Sequence, residues 1–267
     1  MLRRLLYGAL PRHGMACAGK LVLPGDTYLV SFPKSGSTWL RYMLTSLRIG
    51  RTGHELKLTE SIVPDIYRHG NPFLLVRRRP RLLKSHEPYT AAYRRVVYLV
   101  RDPRSVFVSL FWHQQRRRLR GEGATYAGFL QEFLETGGRW GPWHHHVTGW
   151  LDAEDDRMLV VHYEDLVRDT AGCLGRIAGF TGIPAPRDLL RSAVDEARLG
   201  RLREREREER WTPNLDSVRR DVPFFRSGRI DEWREELSPE QILGIETAFA
   251  GAMERAGYRP GRPVGGA

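Results

Sequence analysis

Lysine is nearly absent from this chain, with four residues against 39 arginines. Where lysine persists in so arginine-biased a sequence, a compact ammonium does something a forked guanidinium does not. Cysteine is scarcer still. Cys17 and Cys173 lie far apart and in no metal-spacing motif, which excludes a disulfide framework and a paired-thiol redox centre and predicts a reducing compartment, the cytoplasm. No apolar run approaches the roughly 18–20 residues that a membrane span needs. The opening Met1–Tyr7 resembles the start of a signal segment, but Pro11, Arg12 and His13 interrupt it. Residues 1–10 are left as a candidate contact with a membrane surface.

Positive charge is plentiful. A formal net charge of +11 predicts anionic partners: a nucleotide, a sulfated or phosphorylated substrate, nucleic acid or an acidic surface. With 41% hydrophobic and 28% charged residues over 267 positions, one large soluble core is expected.

The pattern along the chain alternates strands with helices. Residues 27–32 read as a buried strand between Gly25 and Pro33, and a helix from near Ser37 carries Leu40, Met43, Leu44 and Leu47 on one stripe. Residues 81–84 form a short strand. Val96–Val100 forms a central one, apolar on both faces. Asp102-Pro103 opens a helix with a cap and a first-position proline. Met158–Val161 is the next strand, with a helix from Tyr163 running towards Phe180. This rhythm predicts an α/β three-layer sandwich around a mostly parallel sheet.

Residues 116–123 end a helix in a basic, glycine-punctuated turn, in which Arg116–Arg120 reads as a solvated helix end or as a site for acidic acceptors or lipid headgroups, and 196–210 reads as an exposed Arg/Glu helix laced by ion pairs. The polar segment 211–223 reads as a loop over a site. Ser238-Pro239-Glu240-Gln241 is a capping box, followed by a packing stripe of Leu243, Ile245, Phe249, Met253 and Ala256. The expected organisation is an N-terminal extension 1–24, a domain 25–257 and a flexible tail 258–267.

Pro33-Lys34-Ser35-Gly36-Ser37-Thr38 follows the first strand and feeds a helix. Gly36 permits the turn, backbone amides converge, and the positive helix end faces a ligand. Lys34 supplies charge; Ser35, Ser37 and Thr38 supply hydroxyls. The run is not GxxxxGK[ST], since the lysine precedes the glycine and no glycine opens it, so nothing in it demands magnesium. Trp39 is either a core aromatic or a wall against a base. Arg101 sits at the C-terminal edge of the strongest strand, where open sheets bind ligands. It reads as a phosphate ligand or as an ion-pair partner of Asp102 or Glu164. Ser109, two helical turns on, reads as a second ligand or as a packing residue.

These motifs resemble those of sulfotransferases that use 3′-phosphoadenylyl sulfate (PAPS), over roughly residues 25–255. The phosphosulfate loop matches Phe32–Trp39, and a second motif matches Val97–Ser109. The resemblance implies that Arg101 and Ser109 hold the donor's 3′-phosphate, that Trp39 stacks on adenine and that Tyr163 bonds the adenine ring. Phe224-Phe225-Arg226-Ser227-Gly228 resembles the loop that closes over the nucleotide, with Arg226 and the Gly228 backbone on the 3′-phosphate. Ser227 stands where many animal members have lysine.

Lys84-Ser85-His86 is similar to the family's Lys-Thr-His element. That implies His86 as the catalytic base, with Lys84 touching the leaving or transferred group. A histidine just past a strand end titrates near neutrality and can take a hydroxyl proton. Glu87 is the reserve candidate, and Glu87-Pro88 stands where the family has Leu-Pro. The implied reaction moves a sulfuryl group from PAPS to an acceptor hydroxyl, or less readily an amine, releasing 3′-phosphoadenosine 5′-phosphate (PAP) without a metal. A homodimer is the default assembly.

His144-His145-His146 invites a metal reading, but consecutive helical residues point about 100° apart and cannot ligate from one face. One of the three is a candidate for the acceptor pocket. Two rival functions remain at this stage: a magnesium-dependent phosphotransferase, and a basic nucleic-acid-binding protein. No nucleic-acid partner is expected, because the Arg116–Arg120 run lacks interleaved aromatics and any recognition module.

Overall fold

The computed structural model describes residues 22–69, 74, 80–117, 119, 121, 123–137, 140–153, 156–211 and 218–261. The expected membrane contact of residues 1–10 lies outside the described residues. In chain order the described elements are β1 (Thr27–Ser31), α1 (Ser37–Ile49), α2 (Leu58–Ile62), β2 (Leu82–Ser85), β3 (Val96–Val100), α3 (Pro103–Arg116), α4 (Tyr126–Glu135) and α5 (Trp143–Leu151). They continue with β4 (Met158–His162), α6 (Tyr163–Arg168), α7 (Thr170–Thr181), α8 (Arg187–Glu196), α9 (Leu199–Glu208), α10 (Trp233–Glu236), α11 (Pro239–Ala248) and α12 (Ala250–Arg255).

The strands form one parallel sheet in the order β2-β1-β3-β4. Tyr28 registers with Leu83 on one side and Val96 on the other, and Val96 with Met158. Strand alternation sends Tyr28, Val30, Tyr98 and Val100 into a cluster with Phe107 of α3, Phe129 of α4, Trp143 of α5 and Ile245 of α11. Leu29, Val97 and Leu99 point the other way, to Leu40 of α1, Leu174 of α7 and Ala193 of α8. The sheet is therefore apolar on both faces and covered on both, the expected three-layer α/β sandwich.

This topology also fixes where a ligand binds. From β1 the chain crosses to β2 on one side, then returns past β1 to β3 on the other. Between the C-terminal ends of β1 and β3 the connections diverge, and a crevice opens there.

The local signals behave as their chemistry requires. Asp102 Oδ1 accepts from the Arg104 amide at 2.9 Å, and Ser238 and Gln241 exchange both bonds of the capping box. Four expectations need correction. The helix expected from Tyr163 towards Phe180 is two helices, because Asp169 leaves helical geometry to cap α7 through the Gly172 amide. Leu243 is 63% exposed; Ile242, Ile245, Phe249 and Met253 carry the stripe instead. Tyr258, assigned to the flexible tail, is buried and donates to Glu164 Oε2 at 2.9 Å. The Arg/Glu helix is not wholly solvated: Leu202 and Glu206 are buried, and Glu206 pairs with buried Arg116 at 2.8 Å. Its exposed face does carry ion pairs, Arg201 with Asp195 and Arg205 with Glu196.

Candidate active site

Pro33–Thr38 crosses the switch-point crevice. Lys34 and Gly36 both adopt left-handed backbone conformations, with φ of 71° and 95°, so successive amides turn inward as in an anion-binding nest. Gly36 is needed twice over. Its φ favours glycine, and a Cβ there would stand 2.6 Å from the Tyr163 ring. Gly36 is also the N-cap of α1, and no side chain caps that end, so the positive end of a 13-residue helix is open to a ligand.

One cavity of about 810 Å³ collects the sequence candidates. The loop contributes Pro33, Lys34, Gly36, Ser37 and Thr38, and Trp39 follows from α1. Arg101 and Ser109 enter from β3 and α3, Tyr163 from the end of β4, and Lys84 and His86 from the end of β2. Phe224, Phe225, Arg226, Ser227 and Gly228 form another wall. Ser35, the reserve candidate Glu87 and His144–His146 do not line the cavity; Ser35 lies fully buried within the loop, its Oγ without a partner.

Arg101 joins the loop to the segment after Gly228. It donates from Nη1 to the Lys34 carbonyl at 3.0 Å and from Nη2 to the Arg229 carbonyl at 3.3 Å. It also lies 4.2 Å over the Tyr163 ring, leaving Nε buried and unpartnered. The ion-pair alternative fails, because Asp102 pairs with Arg104 and Glu164 accepts from the Asp102 amide and the Tyr258 hydroxyl instead. Trp39 donates its indole N–H to the Ala197 carbonyl at 2.9 Å and meets Tyr163 edge-on. Arg226 and Ser227 both bond Glu232.

His86 is set by four contacts. Its Nδ1 lies 2.6 Å from the Ser31 carbonyl oxygen. A carbonyl only accepts, so Nδ1 carries the proton and Nε2 keeps a free lone pair. The ring is flanked by Tyr67 and Trp140. His146, on α5, lies with Nε2 3.2 Å from the His86 carbonyl and Nδ1 3.1 Å from the Tyr98 hydroxyl. Burial, then the Lys84 charge, hold the His86 imidazole well below its usual pKa, so it is neutral at pH 7. Glu87 is turned away from the cavity. It accepts from the Tyr67 hydroxyl at 2.9 Å, and that hydroxyl accepts from the His86 amide at 2.9 Å.

Residues that sequence reasoning missed complete the walls. Asp65 binds Lys84 at 2.8 Å; Glu60 binds Arg41 and Arg68; Glu206, buried behind the lining, accepts from the Phe224 and Phe225 amides at 2.7 and 3.1 Å. His113 and Arg117 line the cavity from α3 and its cap. Only the three-and-four spacing after Ser109 signalled the last two. Among the described residues no group of His, Cys, Asp and Glu is arranged to hold a metal, and no helix is long and apolar enough to cross a membrane.

An anion nest at the switch point of a parallel sheet, ringed by cations, defines a nucleotide-dependent group transferase. Residues 24–257 match the sulfotransferase domain family, and the chain belongs to it. Its reaction moves a sulfuryl group from PAPS to the hydroxyl of an acceptor. Among relatives, sulfotransferase 2A1 of Rattus norvegicus is 26% identical over 259 residues, covering 92% of this chain and 89% of that one. The 3-beta-hydroxysteroid sulfotransferase of Cavia porcellus is 25% identical over 254 residues, covering 90% and 87%. In fold the chain is similar to retinol dehydratase solved with retinol and PAP, at a TM-score of 0.71 and 21% identity over 88% of this chain and 82% of that one. These findings set aside both the phosphotransferase and the nucleic-acid-binding readings.

Proposed function

We propose that His86 is the catalytic base of this sulfotransferase and that Lys34 and Lys84 are its catalytic cations. The donor is held by the loop Pro33–Thr38, by Trp39 and Tyr163 at the base, and by Arg101, Ser109 and the clamp Phe224–Gly228 at the 3′-phosphate. The hydrogen bond from His86 Nδ1 to the Ser31 carbonyl carries this reading, because it leaves Nε2 as the proton-accepting atom at a cavity-lining residue.

The residues fit a polyanionic donor. Burial, then the charges of Arg101, Arg116 and Arg226, lower the Lys34 pKa to about 7, the state of a cation lacking its counter-ion. Ser35 Oγ and Arg101 Nε are buried without partners. PAPS supplies the sulfuryl group and a phosphate on which negative charge grows as the sulfur–oxygen bond breaks. Lys34 and the loop amides stabilise that charge; Lys84, held by Asp65, adds a second cation from the β2 side. His86 Nε2 takes the hydroxyl proton, and Tyr67 and Trp140 shield the imidazole from water.

Heat stabilisation by PAP compared with ATP tests the donor site, followed by transfer from labelled PAPS to an acceptor panel. Stronger stabilisation by PAP supports the 3′-phosphate assignment, and equal stabilisation by the two nucleotides contradicts it.

A further inference from the structure

Past Ser109, the residues by which α3 and its cap meet the cavity are Leu110, His113, Gln114 and Arg117. Their three-and-four spacing puts them on one face. A hydrocarbon acceptor would be matched by an apolar stripe here, yet within α3 and its cap only Leu110 is apolar, with Leu119 lining the cavity just beyond the cap. The charges on this side do not cancel. The lining carboxylates here are already taken: Glu60 by Arg41 and Arg68 at 2.9 and 2.8 Å, and Asp65 by Lys84 at 2.8 Å. Arg117 makes no ion pair and no side-chain hydrogen bond among the described residues, and its Nε is buried without a partner.

His113 stands between the loop and Arg117. Its ring meets Phe224 edge-on at 6.3 Å, and the Lys34 ammonium lies 4.6 Å over the same Phe224 ring. Its Nδ1 is also buried and unpartnered. Burial, then the charges of Lys34 and Arg117, keep this imidazole neutral at pH 7, so it offers hydrogen bonds rather than charge. Arg117 is the permanent cation. It lies eight residues beyond Ser109, about 12 Å along the helix at 1.5 Å per residue. An unpaired guanidinium in a half-enclosed wall costs solvation that a bound anion restores.

We propose that the acceptor is an alcohol or phenol that also carries a carboxylate or comparable anionic group, with Arg117 receiving the anion and His113 bonding the acceptor between that anion and its hydroxyl. This rests on the reading of His86 as the base, which sets the hydroxyl end. Arg117 selects the acceptor; it takes no part in the transfer itself.

The test titrates the PAP-loaded full chain by calorimetry with 4-hydroxybenzoate and 6-hydroxy-2-naphthoate, each against its methyl ester. At least one acid is expected to bind about tenfold or more tightly than its ester, as a desolvated charge-assisted bond allows. Arg117→Gln removes that preference, and Arg117→Lys, which keeps charge but loses the fork, restores part of it. Stabilisation by PAP confirms that each variant is folded. Neither acid outbinding its ester, or a preference that survives Arg117→Gln, overturns the proposal. If PAP fails to stabilise the wild-type chain while an acid still binds it in preference to the ester, the acceptor proposal stands and the donor-site reading fails.

Discussion

Asp65 holds Lys84 at 2.8 Å in the cavity wall, whereas Lys34 meets no carboxylate among the described residues and lies over the Phe224 ring. Burial depresses both ammonium groups. Asp65 offsets part of that for Lys84, whose pKa falls to about 8, while the arginines around Lys34 add to it and bring Lys34 to about 7. One lysine has its counter-charge built in, and the other waits for a ligand to bring it.

That difference has a sign that can be measured. Near pH 8 Lys34 is mostly neutral in the free protein, and a phosphate beside it favours the charged form. PAP binding at pH 8, where its phosphates are already fully ionised, should therefore take up about one proton. Calorimetry in buffers of different ionisation enthalpy reads the uptake directly. Lys34→Met should abolish it and lower kcat about a hundredfold, near 3 kcal/mol. Proton release at pH 8 would contradict the assignment.

His86→Asn preserves a polar side chain near the Ser31 carbonyl but provides no base. We expect kcat to fall by about 10²–10⁴, with PAP affinity nearly unchanged. Because the folded-state pKa lies well below 6.5, the wild-type rate should not decline through loss of this base between pH 8 and pH 6.5. The decline comes only at lower pH, as the imidazole finally protonates. An acid limb of the pH–rate profile breaking at 6.5 or above would assign the base elsewhere.

The parts legible in the sequence are those written in contiguous residues. The strand, anion loop and helix of 27–49 follow one another without interruption, as do β3, Arg101 and the Asp102 cap, so local rules suffice. The supporting shell is not contiguous. Lys84 finds Asp65 across 19 positions and Arg116 finds Glu206 across 90, and nothing in either local pattern marks the partner. Charged residues at helical spacing read alike whether solvated or buried, so residues 196–210 concealed Glu206. Leu243 failed for a related reason: a stripe through Ile242 and Ile245 leaves position 243 about 100° off the packed face.

Gly36→Ala tests the loop's geometry without altering charge. The new methyl would need a left-handed backbone and would strike the Tyr163 ring, so loop and ring cannot both stay in place. PAP affinity should fall at least about tenfold, with a stability loss of about 1–3 kcal/mol. Urea unfolding with and without PAP separates the two effects. Unchanged PAP affinity would show that the nest is not the phosphate site.

Glu206→Gln addresses how the clamp is ordered. The carboxylate accepts from Arg116 at 2.8 Å and from the amides of Phe224 and Phe225, while Arg203 Nε donates to the Phe225 carbonyl at 2.8 Å. α9 thereby straps the segment that leads to Arg226. Glutamine keeps the shape, but the carboxylate that neutralises Arg116 and receives both amides is gone. Uncompensated burial of that guanidinium should cost about 3 kcal/mol in urea unfolding. A purely structural role would stop there. If Glu206 positions the clamp, KM for PAPS should also rise about tenfold while kcat at saturating donor changes less than threefold, and Glu206→Asp, retaining the charge on a shorter stem, should recover part of the donor affinity. A stability loss with unaltered KM for PAPS would confine Glu206 to holding α9 against α3.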